Sequence, residues 1–154
     1  MRSRRDDIDP QHALDRAFSL SRCGFGGVLT PAPDDLEAAV TLAAEQHDER
    51  LARRIERFAA VEEGSFVWTR DGDGLFWLGR ITGPYFYDSD ADAAAVDLVH
   101  VRACSWLDTP VTESTAPPAV LATFGRGGRN FQRTNDADVG AQTRRIWNRF
   151  GATA

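Results

Sequence analysis

Hydrophobic and polar positions alternate most clearly in the middle of the chain. Phe66 to Arg70 and Leu75 to Thr82 are β-prone runs in which apolar and polar side chains take turns, as in half-buried strands. Asp71-Gly72-Asp73-Gly74 between them is a turn signal, because glycine accepts the positive φ that a tight hairpin requires. Gly83-Pro84 interrupts the pattern before Tyr85-Phe86-Tyr87. The segment therefore predicts a β-hairpin.

The remaining pattern predicts further strands and several helices around this hairpin. A stretch rich in Ala, Leu and Glu follows Asp34 or Asp35, either of which can cap a helix. Its apolar face changes at His47-Asp48, where we expect two helices or one bent helix. Asp138 is placed to cap a last, amphipathic helix. The other predicted elements are a polar arm or short helix over 1–16, a bent strand over 17–29, a strand over 98–103, a short helix over 119–124 and a brief strand over 131–133.

The order of these elements predicts an α+β fold. The strands follow one another too closely for the helical crossovers that parallel sheets need. We therefore expect a small, mostly antiparallel curled sheet or β-barrel with flanking helices. At 154 residues, 42% of them hydrophobic, the chain suits a single core, and we place the single domain at 17–154.

Composition and charge narrow the possible partners. The chain has no run of about 18 apolar residues and no apolar stretch behind its N-terminal arginines. We therefore expect no membrane span and a cytoplasmic location. The formal net charge of -5 argues by itself against a nucleic-acid partner. Residues 125–150, however, hold six arginines and two aspartates, a net charge of +4, so an anionic partner would meet the C-terminal end.

Catalytic and cofactor motifs are missing from the sequence: it has no phosphate-binding loop, nucleophile elbow or metalloprotease motif. Cys23 and Cys104 lack the spacing of a metal site or a disulfide framework, so we expect neither a metal nor a cofactor. His100 and Cys104 would share one face of a strand, which leaves open a small Cys-His enzyme acting on a nucleotide-like ligand. No third residue is placed to orient that pair, so a non-catalytic protein is favoured.

Aromatic side chains on the predicted strands are the stronger functional signal. Trp68, Trp77 and Trp106 either pack in the core or present flat faces to a nucleic-acid base, where stacking contributes about 1–3 kcal/mol per base. The Arg-rich loop near residue 130 either is solvated or neutralises neighbouring phosphates. The arginines of that loop are Arg126, Arg129 and Arg133.

Three stretches resemble the PUA-like superfamily, and are most similar to its EVE and YTH-like branch: FVWTRDGDGLFWLGRITGPYFYD, LVHVRACSWL and AVLATFGRGGRNFQR. The resemblance covers residues 17–133 and is most specific over 64–107. It implies a compact β-barrel with flanking helices that binds DNA or RNA and holds a modified base in an aromatic-lined pocket. The chain departs from the branch at Ser65, where Asp is usual, at Ala103, where Pro is common, and at Gly26-Gly27-Val28, where Gly-Trp is expected.

We therefore expect a non-catalytic reader that accepts a flipped-out or single-stranded base, and the resemblance implies that this base is modified. Extrusion costs least for a base that is already unpaired or damaged. The resemblance also implies a place in bacterial restriction or defence, with a nuclease or other effector protein as partner. A protein-interaction or regulatory module using the acidic stretch 88–97 and the N-terminal arm is the alternative. The predicted site residues are Ser19, Ser21 and Thr82 for the base edge, Trp68, Trp77 and Trp106 for stacking, and Arg80, Arg102, Arg126, Arg129 and Arg133 for the backbone.

Overall fold

The structure is a computed structural model that describes residues 7–126, 134 and 137–151. The four strands in this part of the chain form one antiparallel, curled sheet in the order β1-β4-β3-β2, open rather than closed into a barrel. The α+β class is confirmed. The elements are α1 (Pro10–Ser19), β1 (Arg22–Phe25), α2 (Leu36–Gln46), α3 (Glu49–Ala60), β2 (Phe66–Arg70), β3 (Phe76–Tyr87), α4 (Ala91–Ala95), β4 (His100–Trp106), α5 (Pro118–Gly125) and α6 (Val139–Gly151).

The predicted hairpin is confirmed, with β2 and β3 paired on either side of its turn. The Asp71 carboxylate accepts hydrogen bonds from the backbone N–H groups of Asp73 and Leu75, at 2.9 and 3.0 Å. Gly74 has a φ of 82°, a conformation that glycine adopts without strain. The turn is therefore held by its own first side chain and its last glycine.

Strand β3 continues past Gly83-Pro84, which the sequence pattern treats as an interruption. Ile81 pairs with Cys104 and Tyr85 pairs with Arg102, so three residues of β3 lie opposite one residue of β4. Proline cannot donate to the ladder, and a bulge of this kind accommodates it. The predicted break is thus a bulge inside one long strand.

The N-terminal region corrects the prediction of a strand over 17–29, since residues 17–19 belong to α1 and β1 is only four residues long. Asp9 caps α1 and Pro10 occupies its first helical position, two strong signals for a helix start. The helix packs on the sheet, so the domain boundary expected at residue 16 falls inside it. Its buried residues are Ala13, Leu14 and Ala17.

The predicted helices are confirmed elsewhere in the described chain. The break at His47-Asp48 separates α2 from α3, because the Asp48 carboxylate accepts the Leu51 N–H at 2.8 Å and starts a new helix. Helices α5 and α6 begin within a residue of their predicted starts. The brief strand predicted over 131–133 lies outside the described residues. None of the described helices has the length and apolarity needed to cross a bilayer.

Strand alternation divides the core between the two faces of the sheet. Ile81 and Cys104 lie on the face covered by α2 and α3, which we call face A. Leu78 and Val101 lie on the opposite face, face B, where α1, α5 and α6 complete the packing. Because helices cover most of both faces, we expect a site for a ligand at the ends of the sheet or between helices.

Candidate functional site

Two of the predicted stacking tryptophans lie close together in the structure. The Phe18 ring, at the end of α1, is 4.8 Å from the Trp77 ring and 5.1 Å from the Trp106 ring, centroid to centroid. Phe18 is tilted by 39° to one indole and stands edge-on to the other at 84°. All three side chains remain partly exposed. We call Phe18, Trp77 and Trp106 the aromatic cluster.

The aromatic cluster depends on Gly79, which the sequence pattern did not single out. Gly79 pairs directly with Trp106 across β3 and β4. A Cβ atom at Gly79 would lie 2.8 Å from the Trp106 ring and 2.6 Å from the Cys104 Sγ. The absence of a side chain at Gly79 therefore lets the Trp106 indole lie against β3. A glycine between two large residues of a strand is the sequence signal that could have indicated this close approach.

Both indoles of the cluster are fixed in orientation by hydrogen bonds. Trp77 donates its Nε1–H to the Asp71 carboxylate at 2.9 Å, and Trp106 donates to the Arg22 carbonyl at 2.8 Å. Burial alone would raise the pKa of Asp71, but the bonds donated by Trp77 and by the turn backbone outweigh it and lower that pKa. The acceptor is therefore ionised at neutral pH, and the ring faces are presented without free rotation.

Ser19 and Ser21 are exposed next to Phe18, although neither lies on the first strand as predicted. Ser19 ends α1, and its hydroxyl donates to the Asp15 carbonyl at 2.6 Å. Ser21 occupies the turn before β1 with a φ of 52°. Its carbonyl accepts the Cys104 N–H at 2.9 Å. Ser19 therefore adjoins the aromatic cluster in sequence, as does Ser105, which is exposed directly before Trp106.

Trp68 and Trp77 are the two predicted alternatives for stacking together with Trp106, and the structure brings only Trp77 close to Trp106, through Phe18. Trp68 pairs with Leu78 and so lies on face B, whereas Trp77 and Trp106 follow the face A alternation. Its Nε1–H donates to the Thr143 hydroxyl at 3.2 Å. Strand pleating makes one pocket from all three rings impossible, and Trp68 instead attaches α6 to the hairpin.

Arg102 was expected to hold a nucleic-acid backbone, and that prediction is wrong because the residue is 2% exposed. Its Nε–H donates to the Gly83 carbonyl at 2.8 Å. Its Nη1 donates to the carbonyls of Phe58 and Val61. These two carbonyls end α3, where a cation is favoured by the helix dipole. Arg102 therefore joins the end of α3 to the bulge of β3.

The other predicted polar residues lie apart from the aromatic cluster. Arg80 is exposed on face B, with its guanidinium 5.4 Å from the Phe66 ring and its Nε donating to the Gly64 carbonyl. Thr82 is exposed at the bulge of β3. Arg126 is exposed at the end of α5. The remaining two predicted arginines, Arg129 and Arg133, lie outside the described residues.

The Cys104-His100 pair does not form an accessible nucleophile. Cys104 is 1% exposed and His100 is fully buried. A hydrogen bond with Cys23 and burial both raise the pKa of the Cys104 thiol, so the reactive thiolate is disfavoured. His100 Nε2 donates to the Gly27 carbonyl, and its Nδ1 accepts from the Tyr85 hydroxyl, each at 2.8 Å. Neither ring nitrogen is left to activate a thiol.

The half-buried tyrosine beside His100, Tyr85, predicts a loss of stability in alkali. Burial, with a smaller contribution from Tyr87, raises the pKa of the Tyr85 hydroxyl above its ordinary value of 10.0. Above pH 10.0 the Tyr85 hydroxyl loses its proton in the unfolded chain but keeps it in the folded chain. The free energy of unfolding therefore falls by up to about 1.4 kcal/mol for each further pH unit. Tyr85→Phe removes this component. Urea unfolding should show the stability gap between wild type and variant shrinking from pH 8 to 11, and a constant gap would contradict the assignment.

The acidic stretch expected as a protein-contact surface is largely used within the fold. Asp88 is buried and binds the guanidinium groups of Arg16 and Arg22. Asp90 caps α4 by accepting an N–H at 2.8 Å. The Asp97 carboxylate is 1% exposed and accepts the Gly27 N–H. These carboxylates fasten α1, α4 and β1 to one another, so the structure gives the interaction-module alternative no support here.

Two surface hollows stand out in the described part of the chain, and neither contains a tryptophan. One, of about 380 Å³, lies between the start of α5 and the side of α6; the other, of about 460 Å³, is a shallow depression on α2. No three His, Cys, Asp or Glu side chains in the described ranges gather as a metal site would. Comparison of the chain with protein-family models, with curated proteins and with solved structures finds no match.

Proposed function

We propose that this domain is a non-catalytic nucleic-acid reader in which an unpaired base stacks on the aromatic cluster. The observation that carries the proposal is the meeting of Phe18, Trp77 and Trp106 as partly exposed rings at one end of the sheet. The resemblance to the EVE and YTH-like branch of the PUA-like superfamily supports it, because that branch holds a modified base between aromatic rings. A nuclease or other effector would then act on the bound strand.

The fixed orientation of the two indoles favours stacking. Trp77 and Trp106 are each held by one hydrogen bond, so little side-chain freedom remains to be lost when a base binds. A base stacked on such a ring contributes about 1–3 kcal/mol, whatever its sequence. Preference for a modified base then depends on how closely its added group fits against Phe18 and the neighbouring serines.

Replacing Trp77 by alanine should weaken binding of single-stranded oligonucleotides roughly 5- to 150-fold, the equivalent of one lost stack. Phe86→Ala is the matched control, because Phe86 is an aromatic residue of the same strand, is 39% exposed and lies outside the cluster. Fluorescence anisotropy with labelled oligonucleotides measures both affinities, and circular dichroism checks that both variants fold. Equal losses in the two variants would contradict base stacking on the cluster.

Reading of a modification is tested separately, with paired oligonucleotides that differ only by a methyl or hydroxymethyl group on one base. Wild type should prefer one modified partner, and Trp77→Ala should lose that preference. If wild type binds every modified and plain oligonucleotide equally, the protein binds nucleic acid without reading it.

A further inference from the structure

The hollow between α5 and α6 is a built depression with an apolar floor. Ile146 and Ala116, 9% and 5% exposed, lie at its base. The lining residues of α6 recur three and four positions apart, so they share one side of the helix. Helix α6 is itself attached to the hairpin through the hydrogen bond from Trp68 to Thr143. The walls of the hollow are therefore fixed relative to the sheet.

Two arginines one helical turn apart border this floor. Arg145 and Arg149 are exposed lining residues, and no carboxylate pairs with either one within the described ranges. The Arg149 guanidinium lies 5.4 Å from the centre of the Phe150 ring, which limits its freedom. A planar guanidinium without an acidic partner offers paired N–H donors that match the oxygens of a phosphate.

Neutral hydrogen-bonding groups face these arginines from the other wall. Ser114 and Thr115 line the hollow just before α5, and both hydroxyls lie within hydrogen-bond distance of the Thr112 hydroxyl, at 3.0 and 3.4 Å. The Gln142 side chain of α6 completes the polar rim. Hydroxyl donors on one side, with an amide and two cations on the other, suit an anion with several oxygens.

We propose that this hollow binds a phosphate ester, namely one backbone phosphate of the nucleic acid and its attached sugar. The inference rests on the proposed function and adds to it a phosphate subsite distinct from the aromatic cluster. The volume of about 380 Å³ suits a group of this size, since small-molecule sites measure about 300–1,000 Å³. The charge of the described segment 137–151, which includes α6, agrees, because it holds three arginines and one aspartate, a net charge of +2.

The double variant Arg145→Ala/Arg149→Ala tests the subsite against general electrostatic attraction. It should weaken single-stranded oligonucleotide binding roughly tenfold or more, and it should lower the slope of log K against log salt by about 1.4, for two lost contacts. Arg144→Ala is the control, because Arg144 is exposed on the same helix but does not line the hollow. It should change affinity by less than about threefold. The result that refutes the subsite is a decrease in log K for Arg144→Ala that is half the decrease for the double variant. Each arginine would then contribute equally through its charge alone.

A small ligand separates failure of the subsite from failure of the proposed function. Deoxyadenosine monophosphate added to wild type should shift the NMR signals of the Arg145 and Arg149 Nε–H groups, and deoxyadenosine should not. If oligonucleotides do not bind but the monophosphate shifts these signals, the proposed function fails and the phosphate site stands for free nucleotides. If oligonucleotides bind while the monophosphate shifts nothing and the double variant binds like wild type, only the subsite is overturned.

Discussion

Replacing Arg102 by alanine is expected to lower the free energy of unfolding by about 3–5 kcal/mol, the largest effect of any single change considered. The guanidinium donates to the carbonyls of Phe58, Val61 and Gly83 from a position that is 2% exposed. Each buried carbonyl that loses its only donor lowers the free energy of unfolding by about 1–3 kcal/mol. The Phe58 carbonyl keeps the Val61 N–H, so the larger losses are expected at Val61 and Gly83. The packing of the guanidinium 6.0 Å from the Phe58 ring centre is lost as well.

Arg80→Ala is the matched control for this measurement. Arg80 is also a strand arginine that contacts an aromatic ring and a backbone carbonyl, but it is exposed. Its removal should change the free energy of unfolding by less than about 1 kcal/mol. Urea unfolding followed by circular dichroism measures both variants. If Arg102→Ala and Arg80→Ala are equally stable, Arg102 does not hold α3 to β3 as described.

Replacing His100 by leucine should lower the free energy of unfolding by about 2–5 kcal/mol. Leucine fills much of the ring volume, yet the Tyr85 hydroxyl and the Gly27 carbonyl are both left without a partner. Each such buried group accounts for about 1–3 kcal/mol of the loss. The packing of the imidazole against the Phe25 ring, 5.4 Å away between centroids, is also altered.

The same substitution at His47 provides the comparison, because His47 is exposed and makes one hydrogen bond to the Val28 carbonyl. We expect His47→Leu to remain within about 1 kcal/mol of wild type. Thermal and urea unfolding of the two variants measure the difference. Similar stability of both variants would show that the hydrogen bonds of the buried imidazole are of little consequence.

Local sequence signals were sufficient for the elements whose ends are set by neighbouring residues. The Asp71–Gly74 turn and the cap at Asp48 each depend on a side chain within four positions of the element that it begins or ends. The helix predicted after Asp138 begins at Val139. The prediction of a strand over 17–29 is wrong because it depends on the alternation in that segment. Asp9 and Pro10, which indicate the start of a helix, are equally local signals. Residues close in sequence to each helix, strand or turn therefore determine where most of these elements begin and end.

The candidate site depends on contacts that no local signal contains. The alternation of residue types predicts that Arg102 lies on a strand. It does not predict that the side chain reaches the end of α3, where the Phe58 carbonyl that it binds is 44 residues away in sequence. The sequence spacing of Trp68 and Trp77 likewise does not predict that they lie on opposite faces of the hairpin. The face of each side chain depends on the register in which β2 and β3 pair. Phe18 reaches the indoles only because α1 ends where β3 and β4 meet. The contacts among the aromatic residues therefore depend on how the sheet is assembled, and not on local sequence.

The two thiols report on how the sheet edge opens. Cys23 lies on β1, the four-residue edge strand, and Cys104 lies on its partner β4; they are 4% and 1% exposed. Both sulfurs lie in the core between the sheet and helices α2 and α3. An alkylating reagent can reach either one only after this region opens, by separation of β1 from β4 or of the two helices from face A. The rate of thiol modification under native conditions therefore measures the local opening of this part of the core, with no label added to the protein.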